Sequence, residues 1–184
     1  MNYFNLKEKI ISEDLWSLIL HREQNANYTR YITHNGTPTD LFASLAYPSK
    51  EAQEDLNDPL NIFIGKFNSK LIMPEGNMVA FIKFNKGCGI FPHIDDAIKR
   101  TTTFSWAVNL DPKRFVPILY HNPDNRSEVI DKGYYKDEGI VFNTQNVHSV
   151  EPSDNERITL QISFANPIDE VYELYIKGEL LSNF

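Results

Sequence analysis

Three observations predict a mainly β fold of the α+β class: a sandwich or barrel of short strands with helices packed on it. From residue 61 onward, short β-prone runs follow one another with turn residues between them. Two of those runs alternate polar and apolar side chains without a break. The first third instead carries helix caps and helical spacing. With 184 residues, 41% of them hydrophobic and 12% aromatic, the chain is the size of one domain and long enough to bury a core. The expected organisation is a single domain over 1–184, with a helical buttress over about 1–60 and a β core over about 61–168.

In chain order, Ser12 is placed to cap a helix whose first turn holds Glu13 and Asp14 and whose apolar face holds Leu15, Leu18 and Ile19, with Arg22 at the same spacing. Thr29 to Thr33 is a short β-prone run. Asp40 is placed to cap a helical piece over Leu41–Ala46 that stops at Pro48, and another helical piece is expected from Ser49 or Lys50 to Leu56. Strands are expected at Ile62–Phe67, Met78–Phe84, Thr101–Leu110, Val116–Tyr120, Gly139–Phe142 and Arg157–Phe164. Turns are expected at Pro74–Asn77, Asn85–Gly87 and Asn122–Asn125, which are rich in residues that set or tolerate turn dihedrals. No internal repeat or low-complexity segment interrupts the series.

In Arg157–Phe164, residues Ile158, Leu160, Ile162 and Phe164 share one face, while Arg157, Thr159, Gln161 and Ser163 share the other. Thr103–Leu110 repeats the pattern, with Phe104, Trp106, Val108 and Leu110 opposite Thr103, Ser105, Ala107 and Asn109. The polar faces either meet solvent or line a pocket inside a barrel, and alternation alone fits both. Large aromatics such as Phe104 and Trp106 are expected in the core.

The net charge of −7, from 18 basic and 25 acidic residues, opposes attraction to nucleic-acid phosphates or anionic lipid, so neither is an expected general partner. Cys88 is the only cysteine, which excludes an intrachain disulfide and fits a reducing compartment. Leu15–Leu20 is too short to span a bilayer, and no basic start precedes a cleavage pattern, so a soluble cytoplasmic protein is expected.

The chemistry concentrates in Gly89-Ile-Phe-Pro-His93-Ile94-Asp95-Asp96. In extended chain His93 and Asp95 point the same way and can share a metal, whereas Asp96 points oppositely. His148 lies 53 positions beyond Asp95. Two imidazoles and a carboxylate on one face of a metal suit iron(II) in oxygenases and leave positions open, but the same set also serves zinc. Nine residues after His148 comes Arg157. If its strand face turns inward, the buried guanidinium needs a carboxylate partner, and Thr159 on the same face adds a hydroxyl; if outward, Arg157 pairs with Glu151, Asp154 or Glu156. His21, His34 and His121 read as surface or capping residues, and nothing near Cys88 suggests an activated thiolate.

The ordered series His93-x-Asp95, His148, Arg157 resembles the 2-oxoglutarate and iron(II)-dependent dioxygenase superfamily, in particular its prolyl-hydroxylase-like members. Asn85-Lys-Gly-Cys-Gly-Ile-Phe-Pro-His93 is similar to the approach to the first ligand, Arg100–Leu110 to the strand that follows, and Glu138–Phe142 with His148-Ser-Val-Glu-Pro152 to the second ligand strand. The resemblance covers roughly Met78 to Phe164 and implies a double-stranded β-helix of the jelly-roll, cupin-like kind. It further implies iron(II) held by His93, Asp95 and His148 as the catalytic centre, with 2-oxoglutarate and dioxygen as co-substrates and ascorbate as a candidate reductant. Arg157 would hold the distal carboxylate, helped by Thr159. Phe84 stands near where many relatives place a tyrosine that helps bind 2-oxoglutarate, so Ser105 or Thr103 is expected to complete the pocket. The carboxylate of Asp95 leaves no halide site, which favours hydroxylation over halogenation. The expected substrate is an amino acid, a peptidyl residue or a small molecule, its pocket shaped by the N-terminal region and the loop Asn122–Tyr135. A zinc or manganese cupin-type enzyme and an inactive jelly-roll binding module are the rival readings.

Overall fold

The computed structural model describes residues 1–30, 44–46, 54–74, 79–95 and 100–182. In chain order its elements are β1 (Tyr3–Asn5), α1 (Glu13–Gln24), β2 (Thr29–Arg30), β3 (Ser44–Ala46), α2 (Pro59–Gly65), β4 (Val79–Phe84), β5 (Ile90–His93) and β6 (Thr102–Ala107). A 3-10 turn (Pro112–Arg114) leads to β7 (Ile118–His121), β8 (Val129–Gly133), β9 (Ile140–Asn143), β10 (His148–Val150), β11 (Arg157–Phe164) and α3 (Ile168–Ile176). Among the described residues, one sheet runs β1-β9-β6-β11-β4-β3-β2 and the other β5-β10-β7-β8. From β4 onward the chain crosses repeatedly between them, and every pairing is antiparallel. This is the jelly-roll winding of a double-stranded β-helix.

The two faces of the larger sheet have opposite roles. Ile158, Leu160, Ile162 and Phe164 of β11 and Phe104 and Trp106 of β6 join Leu15 and Ile19 of α1, Leu60 and Phe63 of α2, and Ile168, Val171 and Leu174 of α3 in the main apolar core. The helices therefore cover the apolar face, and the polar face turns inward toward the smaller sheet. Between the sheets a second cluster of Ile118, Tyr120, Ile140 and Phe142 packs with Tyr3 and Tyr135. The alternation in β11 is thus resolved: Arg157, Thr159 and Ser163 are buried, at 1%, 2% and 3% exposure.

Local signals explain most elements. Ser12 accepts from the Leu15 amide and starts α1 as expected. Asp58 caps α2 through the Leu60 and Asn61 amides, with Pro59 at the first helical position. Arg22 of α1 grips the same carboxylate with both terminal nitrogens, which ties the two helices together. Burial works against the Asp58 charge, but Arg22 and the capped amides hold its carboxyl below the ordinary range.

Several expectations are corrected. Ile62–Phe67 is not a strand: Ile62 to Gly65 continue α2, because the Asp58-Pro59 start outweighs the β-branched residues that follow. Of the helix expected over Leu41–Ala46, the described part Ser44–Ala46 is instead β3, paired to β4. The first third is therefore not helical throughout, since β1, β2 and β3 extend the larger sheet. The loop expected over Asn122–Tyr135 contains β8, and α3 was not foreseen. Asp40, the start of the Ser49 or Lys50 piece, Thr33, His34, the turn at Glu75–Asn77, Met78 and Asp96 lie outside the described residues. Among the described residues, no helix is long and apolar enough to cross a membrane.

Candidate metal centre

His93 closes β5 and His148 opens β10, and the antiparallel register sets these two residues directly opposite one another. The register shifts between His148 and Val150, an irregularity of the kind that re-aims side chains near functional sites. Asp95 follows β5 by two residues, its amide bonded to the Thr144 carbonyl at 3.0 Å. One carboxylate oxygen of Asp95 lies 3.2 Å from His93 Nε2 and 3.9 Å from His148 Nε2. One ligand atom from each of the three residues falls within 4.8 Å of the others, a spacing that can hold a metal ion.

The imidazoles are oriented by the backbone. His93 Nδ1 lies 2.8 Å from the Phe91 carbonyl and His148 Nδ1 lies 2.9 Å from the Asn146 carbonyl. A carbonyl only accepts, so each Nδ1 carries a proton, and each Nε2, the nitrogen nearer Asp95, is the one placed to ligate. Burial disfavours the charged form of His93, but the hydrogen bond and charge of Asp95 raise it overall. Burial holds His148 below its ordinary value. Burial also opposes the Asp95 charge, but the His93 bond, followed by the nearby charges of His148, His93 and Arg100, keeps the carboxyl low. The trio therefore offers two imidazole Nε2 atoms and one carboxylate, a donor set for a divalent cation, which would displace the proton that His93 shares with Asp95.

Arg157 lies at the far end of the same strand pair. Its Nη2 donates to the carbonyls of Cys88, two residues before β5, and Glu151, just after β10, at 2.8 and 3.0 Å. From His148 to Glu151 the chain advances about 10 Å at strand rise. Phe84, the cross-strand partner of Arg157, places its ring 4.9 Å from the guanidinium. Burial lowers the Arg157 pKa, yet a guanidinium stays charged at physiological pH. Among the described residues no carboxylate pairs with it; Glu151 supplies only its carbonyl, and Glu156 binds Lys83 instead. Arg157 Nε and Thr159 Oγ1 are buried without a partner, as are Asn5 Oδ1, Tyr120 OH and His121 Nδ1.

Gly89 permits the close approach of the strand ends. A Cβ there would collide with the Val150 carbonyl and lie 2.8 Å from the Pro152 nitrogen, so a side chain would push the two connections apart. Gly139 adopts φ 105°, and a Cβ would meet Trp106 Nε1 at 2.6 Å.

The other expected residues sort clearly. Ser105 is fully buried on the inner face, where its hydroxyl bonds Tyr135 at 3.1 Å. Thr103 is committed to Ser163 at 2.9 Å. Cys88 is buried. Trp106 and Phe104 are core residues, as expected. His121 is neither a turn nor a surface residue: it ends β7 at 7% exposure, with Nε2 2.7 Å from Ser149 Oγ. Neither this pair nor Tyr135 has any sequence spacing that announces it.

No family model matches the chain, and no curated protein matches its sequence. Solved structures do match. A prolyl hydroxylase from Trichoplax adhaerens, solved with a hypoxia inducible factor peptide fragment, superposes at TM-score 0.58 with 16% identity, covering 89% of this chain and 83% of that one. A 2OG-Fe(II) oxygenase family oxidoreductase from Burkholderia pseudomallei gives 0.58 at 12% identity, covering 89% and 85%. A Pseudomonas putida prolyl-4-hydroxylase gives 0.53 at 12% identity, covering 89% and 91%. The alternating crossover between sheets is accordingly the double-stranded β-helix fold of these solved structures.

Proposed function

We propose that the chain is a 2-oxoglutarate-dependent, non-haem iron(II) dioxygenase that hydroxylates an amino-acid, peptidyl or small-molecule substrate. The observation that carries this reading is Arg157: a buried cation with no carboxylate partner among the described residues, held at the opposite end of the strand pair that presents His93, Asp95 and His148. A metal site alone is shared with zinc enzymes, but a metal site facing an unneutralised guanidinium suits a ligand with a chelating 2-oxo acid at one end and a carboxylate at the other. The unpartnered Arg157 Nε and Thr159 Oγ1 fit that distal carboxylate.

When bound, iron(II) with 2-oxoglutarate and dioxygen supplies the oxidising chemistry, in which decarboxylation to succinate is coupled to hydroxylation of a C–H bond. The chain's own residues prepare the site. The Phe91 and Asn146 carbonyls hold both Nδ1 atoms, so Nε2 is the nitrogen that would ligate, and Asp95 contributes the charge. Arg157 and Thr159 orient the co-substrate from the far end, which sets the face it presents to the metal. Phe142, whose ring lies 5.9 Å from His148, and Ile140 with Tyr120 keep the interior dry. Exposed Phe91 and Ile94, on either side of His93, offer apolar contact beside the ligands. The peptide held by the Trichoplax structure makes peptidyl substrates the first class to screen.

Anaerobic titration of the iron(II)-loaded protein with 2-oxoglutarate is expected to give a visible absorption band, and exposure to oxygen with ascorbate is expected to release succinate. Tight zinc binding with neither band nor succinate would overturn the oxygenase reading in favour of a cupin-type metal site or a jelly-roll binding module.

A further inference from the structure

We propose that Tyr135, on the connection from β8 to β9, is a third donor to the distal carboxylate of the 2-oxo acid, acting beside Arg157 and Thr159. This rests on the co-substrate reading above. Tyr135 reaches from the smaller sheet to Ser105 on the inner face of β6, where the two hydroxyl oxygens stand 3.1 Å apart. Two hydroxyls bonded to each other share one proton between them. Whichever donates, the other O–H proton remains available to an acceptor.

The surroundings say which acceptor. Ser105 is two residues from Ala107, the cross-strand partner of Thr159, so the pair adjoins the unpartnered Thr159 Oγ1. The Arg157 charge and the Tyr135 phenol perturb each other's ionisation. Burial pushes the Tyr135 phenol up to about 12 against the opposing pull of Ser105 and Arg157, so it remains an O–H donor at neutral pH. On the larger sheet, Arg157's partner Phe84 offers only a ring face and Ala107 only a methyl group, so β4 and β6 place no phenol at these positions. Phe115 fixes the Tyr135 ring from behind, with centroids 5.0 Å apart. The register sets the Ser105–Tyr135 pair beside Thr159 and Arg157 on one inner face, with no carboxylate paired to the guanidinium among the described residues, and a bound carboxylate would satisfy the cation and the hydroxyls together.

The test compares two probes on iron(II)-loaded protein under anaerobic conditions: 2-oxoglutarate, and 2-oxobutanoate, which chelates identically but lacks the distal carboxylate. Tyr135→Phe is expected to weaken 2-oxoglutarate about tenfold, the size of a lost hydrogen bond to a charged group, and to leave 2-oxobutanoate unchanged. Unchanged 2-oxoglutarate affinity, or equal weakening of both acids, overturns the assignment while the oxygenase reading stands. A wild-type protein that binds neither acid overturns both. If thermal melting shows that Tyr135→Phe does not fold, Ser105→Ala replaces it in the same titration. A several-fold loss confined to 2-oxoglutarate then supports the pair, and no loss overturns it.

Discussion

The two faces of β11 are made by one strand and share one backbone, yet they solve opposite problems. Outward, Ile158, Leu160, Ile162 and Phe164 pack against three helices and leave nothing unsatisfied. Inward, Arg157 and Thr159 keep polar atoms buried without partners, an arrangement that costs stability and persists where a ligand repays it. The outer face carries the fold, and the inner face gives up stability to hold the polar groups proposed above to bind the co-substrate.

Substitutions on either side sharpen that contrast. The largest effect belongs to the outer face: Leu160→Ala, at a fully buried position, is expected to cost about 3 kcal/mol in denaturant unfolding while leaving 2-oxoglutarate affinity of the folded protein unchanged. Arg157→Met is expected to do the reverse. It should weaken 2-oxoglutarate about 100-fold, with unfolding stability equal or higher because a buried, uncompensated charge is gone. A variant that binds normally but unfolds easily would make Arg157 structural and erase the distinction between the faces. Away from both faces, Asp58→Asn at the α1–α2 clamp should cost about 2 kcal/mol at neutral pH. Because the folded-state pKa of Asp58 is depressed, its contribution is present above the unfolded carboxylate pKa and fades as pH falls through the folded value. The gap between wild type and variant in urea midpoints should therefore close in acid.

The convergence of His93, Asp95 and His148 was legible because it needs only the period of a strand and one antiparallel return. The alternation of β11 was equally legible, but not the direction of its polar face. That depends on α3 and on where α1 and α2 dock, which are long-range facts. Ile62–Phe67 reads as a strand from sequence because its β-branched composition hides the Asp58-Pro59 helix start. β8 is an edge strand whose Val129, Ile130 and Lys132 are exposed, so its sequence carries no burial pattern. The bond from Tyr135 to Ser105 joins residues 30 apart across two sheets, and no local pattern encodes it.

The two carbonyls that hold Arg157 come from connections flanking β5 and β10, and Gly89 lets those connections touch. The guanidinium is thus positioned by the main chain before any anion arrives. Association then freezes little additional motion in the receptor, so the conformational entropy lost on binding falls chiefly on the incoming molecule. The same attachment means that a residue at position 89 larger than glycine would alter affinity at a distance, by spreading the backbone that aims the arginine rather than by touching the ligand.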